Sequence, residues 1–131
     1  MADFKAGDAV PELRVTPDKY LTNRYAGASG DYNPIHVDDE FAKSVGLPGN
    51  ILHGLYGMGL VAKAAAQGLA GGDPTALKKL TVQFRGMGLP EQEIEVTGTV
   101  KAVDGNRVTV DLEARQGDTR IIRNAVAELE I

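Results

Sequence analysis

GLYGMGLVAKAAAQGLAG, residues 54–71, decides the fold. Within it Leu55, Met58, Val61, Ala62, Ala65 and Leu69 recur at spacings of three and four, which predicts a helix of about four turns. Gly54, Gly57 and Gly59 each weaken such a helix by about 1 kcal/mol relative to alanine. A chain carries that cost where other backbone must approach closely. The stretch therefore reads as a central, largely buried helix, ended by Gly71-Gly72-Asp73-Pro74.

On its C-terminal side the period changes to two. Leu80, Val82 and Phe84 alternate with polar residues, and Ile94, Val96 and Val100 do so between Glu93 and Val103. Asp104-Gly105-Asn106 is a hairpin turn. Val108, Val110, Leu112 and Ala114 form the next strand, Gln116-Gly117-Asp118 turns the chain, and Ile121 to Ile131 makes the last. On the N-terminal side, Leu13 and Val15 mark a short strand. Thr16-Pro17 then reads as a cap and first helical position, with a helix running to about Ala26 and ending at Gly27. Residues 27–37 read as loop. Asp38 caps a short helix from Asp39 to Val45, stopped by Gly46. The order strand, helices, then antiparallel strands is an α+β pattern. Periodicity alone leaves several α+β folds open.

The length of 131 residues predicts one domain, 1–131. There is no cysteine, hence no disulfide frame and no thiolate nucleophile. The start, MADFKAGDAV, lacks the apolar run of a signal peptide, and no apolar run is long and clean enough to span a bilayer. These features predict a cytoplasmic protein without a membrane partner. A net charge of −4 argues against a nucleic-acid binder.

The chemistry concentrates in residues 25–60, which hold both histidines of the chain. Asp31 and His36 stand in a loop where Gly30 permits an unusual backbone angle and Pro34 fixes one. Such a loop can aim a carboxylate and an imidazole at one point, where they hold a water and exchange protons near neutral pH. Asn33 offers an amide to hold the loop. Gly54 N–H opens the central helix, where the dipole and unpaired amides favour a developing negative oxygen. A base pair beside an oxyanion site is equipment for moving a proton next to a carbonyl. Asp31 in Gly-Asp-x-Asn-Pro also reads as plain turn chemistry, and His36 as a backbone anchor. His53 reads as a supporting residue that anchors the loop before the helix.

Asp31, His36, Asp38, Asp39, Glu40 and His53 include enough ligand types for a metal. No HExxH or cysteine pair is present, however, and Asp38 to Glu40 suit a helix start, so no metal and no cofactor is expected. Asp31-Tyr32-Asn33 does not continue as a calcium loop. The G-x-G-x-x-A at 57–62 lies inside a helix pattern without a preceding strand, which sets aside dinucleotide binding.

YAGASGDYNPIH at 25–36, followed by Phe41-Ala42 and by ILHG at 51–54, resembles the MaoC-like (R)-specific enoyl-thioester hydratases and dehydratases. The likeness extends more weakly over the whole chain, including FRGMGLP at 84–90. It looks closest to compact single-hotdog members, including actinobacterial 3-hydroxyacyl-carrier-protein dehydratase subunits. The resemblance implies a hotdog fold, an antiparallel sheet wrapped around the long helix. It also implies a homodimer with sheets side by side, a heterodimer being the other arrangement. The implied reaction is syn hydration of a trans-2-enoyl thioester of CoA or acyl carrier protein to the (3R)-hydroxyacyl thioester. By position Asp31 and His36 match the pair that activates water, Gly54 the amide that binds the thioester carbonyl, and Asn33 a loop-holding position. Ala62, Ala65 and Ala66 make one helix face small, which reads either as an acyl channel for medium or long chains or as tight helix–sheet packing. Three other readings remain: an acyl-thioester hydrolase, a non-catalytic subunit of a heterodimeric dehydratase, and a binding module for acyl carrier.

Overall fold

The computed structural model describes residues 3–131. Five strands form one antiparallel sheet: β1 (Ala9–Val15), β2 (Leu77–Phe84), β3 (Ile94–Asp104), β4 (Arg107–Gln116) and β5 (Thr119–Glu130). Their order across the sheet is β1-β3-β4-β5-β2. The two hairpins form where Gly105 (φ 61°) and Gly117 (φ 57°) take left-handed angles that a side chain disfavours.

Four helices lie between β1 and β2: α1 (Leu21–Ser29), α2 (Pro34–Val37), α3 (Asp39–Ser44) and α4 (Gly54–Leu69). A single 3₁₀ turn, Pro74–Ala76, leads into β2. Helix α4 is the predicted central helix, with the predicted start. Its Leu60, Val61, Ala64, Ala65 and Leu69 pack against Ile94, Val96, Val110, Leu112 and Ala127 of the sheet. Small residues let the helix lie close: a Cβ at Gly68 would stand 2.8 Å from Val10 Cγ1. A curved antiparallel sheet wrapped around one long helix is the hotdog fold, the α+β architecture expected. No helix of the described residues is long and apolar enough to cross a membrane.

Two local expectations are corrected. Helix α1 starts at Leu21 rather than at Pro17, and it ends at Ser29 rather than before Gly27. Asp18 sets the start: its Oδ1 accepts the Tyr20 N–H at 2.8 Å, and its carbonyl accepts the Leu21 N–H at 3.2 Å. Gly30, at φ 79°, supplies the left-handed cap, so Gly27 sits inside the helix. The supposed loop at 27–37 also contains α2, one turn capped by the Asn33 side chain with Pro34 in its first turn.

Candidate active site

Asp31 lies in the short link between α1 and α2, and His36 lies on α2. The link is tied by local bonds: Asp31 N–H donates to Ser29 Oγ at 3.2 Å, and Asn33 N–H donates to Asp31 Oδ1 at 3.2 Å. Asn33 Oδ1 in turn accepts the Ile35 N–H at 3.3 Å, which starts α2. This turn presents His36 inward, where it is 7% exposed. His36 Nδ1 lies 2.7 Å from the Ile51 carbonyl. A carbonyl only accepts, so Nδ1 carries the proton and Nε2 of the neutral ring is the bare nitrogen. That Nε2 stands 3.9 Å from Asp31 Oδ2, whose side chain is 54% exposed. The gap is too long for a direct hydrogen bond and suits one bridging water.

The strand-like segment 51–53 brings the start of α4 to this pair. Ile51 N–H donates to the Ile35 carbonyl at 3.1 Å, and Leu52 N–H donates to the Gly88 carbonyl at 2.8 Å. His53 is the cap residue of α4 and Gly54 its first helical residue. Gly54 N–H is thus among the amides a helix leaves without an internal partner, at its positive end. The His53 ring stacks on His36 with centroids 3.9 Å apart and planes at 19°, and its Nε2–H donates to the Asp31 carbonyl at 3.0 Å.

A cavity of about 180 Å³ opens beside these groups, lined by His36, His53 and Gly54 and by Leu52, Ile94 and Ile122. A second hollow of about 270 Å³ reaches Asp31 from outside and shares His53, Gly54 and Phe84 with the first. The structure brings Asp31, Asn33, His36, His53 and Gly54 together. It does not bring Ala62 or Ala65 to them. Ala65 is fully buried in the core against the sheet, and Ala62 lines a separate groove of about 290 Å³. The hollow next to the pair lies at the other end of the helix.

Asp31, His36 and His53 each offer a ligand atom within 4.8 Å of the others. Two imidazoles on one ion splay apart at the ligand angle, whereas these rings lie stacked. The trio fits a metal poorly.

Three aromatic residues of the site were not singled out in the sequence. Tyr25 packs on His53 at 4.6 Å, and Tyr56 meets Tyr25 edge-on at 5.9 Å. Burial pushes the Tyr56 phenol up, partly offset by the Arg24 charge, so it stays neutral at neutral pH. Phe84 ends β2 with its ring against Gly54. Tyr25 opens the 25–36 motif and was legible there; Phe84 carried only a strand signal.

A water-sized gap between a carboxylate and an imidazole, facing a free helix amide inside a hotdog fold, defines a class of acid–base sites next to a carbonyl. The chain matches the MaoC like domain family over residues 5–120, and it belongs to that family. It is similar to the peroxisomal enoyl-CoA hydratase 2 of Arabidopsis thaliana, 47% identical over 75 residues, which are 57% of this chain and 23% of that one. It is also similar to the enoyl-CoA hydratase ChsH3 of Mycobacterium tuberculosis, 31% identical over 126 residues, 96% of this chain and 42% of that one. The chain thus spans less than half the length of these two relatives. The (R)-hydratase from A. caviae involved in PHA biosynthesis superposes with a TM-score of 0.86 over 98% of both chains at 18% identity, a shared fold.

Proposed function

We propose that this domain is an (R)-specific hydratase/dehydratase that interconverts trans-2-enoyl and (3R)-3-hydroxyacyl thioesters of CoA or acyl carrier protein. The observation that carries this reading is the 3.9 Å approach of Asp31 Oδ2 and His36 Nε2 beside the first amide of α4. Membership of the MaoC-like family and similarity to proteins named as enoyl-CoA hydratases support it.

In this reading the thioester carbonyl accepts the Gly54 N–H, which withdraws electrons from C3 and stabilises the enolate-like oxygen as it develops. Asp31 and His36 hold one water against C3. One of them takes a proton from the water as its oxygen bonds to C3, and a proton is delivered to C2 on the same face. The two groups act as one coupled pair. The apolar cavity beside His36 receives the acyl tail. We also propose that the domain works as a homodimer in the cytoplasm, a heterodimer being the alternative. The Arabidopsis relative is named as peroxisomal, and fractionation of the source cell separates the two locations.

The test is hydration of a series of trans-2-enoyl-CoA substrates, followed by loss of enoyl absorbance and by free thiol. Thiol release without hydration would replace this reading with a hydrolase. Asp31→Asn and His36→Ala are each expected to lower kcat/KM by about 10²–10⁴-fold. Unchanged rates in both variants would remove the pair from the chemistry.

A further inference from the structure

The loop that carries Asp31 is held mainly by itself. Its bonds run from Gly30 to Ala26, from Asp31 to Ser29 and from Asn33 to Asp31, all within four residues. Among the described residues one hydrogen bond reaches residues 30–33 from far along the chain, the bond from His53 Nε2 to the Asp31 carbonyl at 3.0 Å. His36 needs no such help, because α2 and the Ile51 carbonyl already fix its ring. Asp31 is the member of the pair whose carboxylate is held by a local bond alone, from the Asn33 N–H at 3.2 Å.

His53 itself gains little from its placement. It is 2% exposed, it precedes α4 as cap residue, and its side chain caps no helix amide. Its Nδ1 is buried with no partner. Because a carbonyl accepts, Nε2 carries the ring proton, and the bare Nδ1 is an acceptor without a donor. Leaving a buried polar atom unpaired costs stability. What the ring delivers in return is directed at the pair: an N–H to the backbone that bears the carboxylate, and a face to the imidazole of His36.

We propose that His53 is a positioning residue, whose Nε2–H holds the Asp31 backbone so that its carboxylate faces His36. The proposal rests on the reading of Asp31 and His36 as the catalytic pair. The Nε2–H is the active feature, and the stacked ring is the means of delivering it from the start of α4. The same short segment therefore sets both the Gly54 amide and the Asp31 carboxylate, and it ties their separation together.

Two variants separate the N–H from the ring. His53→Phe keeps a ring between Tyr25 and His36 and loses the donor. His53→Gln places an amide N–H at similar reach and loses the ring. Kinetics of crotonyl-CoA hydration are expected to show kcat about 10²-fold lower for His53→Phe, the scale of a small misplacement of a reacting group. KM should stay close to the wild-type value, and His53→Gln should recover most of the loss. Wild-type kcat in His53→Phe, an equal fall in both variants, or a loss confined to KM would overturn the proposal. An active wild type with an indifferent His53→Phe removes His53 alone, whereas an inactive wild type removes the reading of the pair. Nitrogen NMR of ¹⁵N-histidine wild-type protein needs no variant to fold. It should show the His53 Nε2 protonated, and an Nδ1–H tautomer with a bare Nε2 would overturn the assignment.

Discussion

Gly54 begins α4 with the Phe84 ring lying against it: a Cβ placed there would stand 3.1 Å from Phe84 Cδ1 and 3.2 Å from Cε1. Phe84 is 52% exposed, so its ring can turn outward and the fold can absorb the extra methyl. The cleft cannot absorb it as easily. The methyl and the displaced ring would both intrude where the two hollows meet, over the amide assigned to the thioester carbonyl. Gly54→Ala is therefore expected to keep its thermal midpoint near the wild-type value and to lose about 10–10²-fold in kcat/KM. Thermal melts beside steady-state kinetics check this. A variant that unfolds would mean that the glycine serves packing before chemistry.

At the scale of elements, the site depends on a clamp far from it in sequence. Gln116, at the end of β4, is 6% exposed and fully bonded. Its Oε1 accepts the Leu89 N–H at 2.7 Å, and its Nε2 donates to the carbonyls of Leu89 at 2.7 Å and Gln92 at 3.1 Å. The neighbouring Gly88 carbonyl holds Leu52 N–H, two residues before Gly54. Gln116→Leu leaves the half-buried Leu89 N–H and carbonyl without their side-chain partner and should lower stability by about 1–3 kcal/mol in chemical denaturation. It should also lower kcat, because the segment before α4 loses its seat. A stable variant of normal kcat would show that the 85–92 loop holds its place without the glutamine. No sequence signal announced this clamp, because it joins residues 24 to 27 positions apart. The His36–His53 stack escaped for the same reason. What was legible were features written in near neighbours: the start of α4 at Gly54, the Asp38 cap of α3, both hairpin turns and the Asp31–His36 loop. The start of α1 was misplaced because Thr16-Pro17 carries a stronger cap signature than Asp18, yet the Asp18 side chain makes the bond. The structure places Ala65 against the sheet and Ala62 on a separate groove, away from the Asp31–His36 pair. Spacing told which residues of α4 are small, and only the fold told which of them meet the sheet.

At the scale of the whole molecule, the open sheet ends in two edge strands, β1 and β2. β2 pairs with β5 on one side and ends the sheet on the other, so a row of its backbone groups has no partner strand. Edges of this kind are templates for a further strand unless charge, bulge or cover blunts them. Around this edge the surface is mixed: Phe84 is 52% and Leu55 62% exposed, Ala62, Ala66 and Leu77 share a groove with Lys63 and Gln67, and β2 itself carries the exposed Lys78 and Lys79 and two register shifts against β5. A second copy placed across a two-fold axis would pair edge with edge and lay these patches against themselves, the self-complementary contact of a symmetric dimer. Such a contact would also cover Phe84, and with it the outer mouth of the site. The wild-type domain is therefore expected to show twice its chain mass by light scattering at micromolar concentration. Ala62→Arg tests the face: the open groove of about 290 Å³ leaves the long side chain room in one protomer but not under a partner. It should give a folded monomer with reduced hydration activity. A monomeric wild type would point instead to a different chain as partner on this edge, and an Ala62→Arg variant that remains dimeric would place the interface elsewhere.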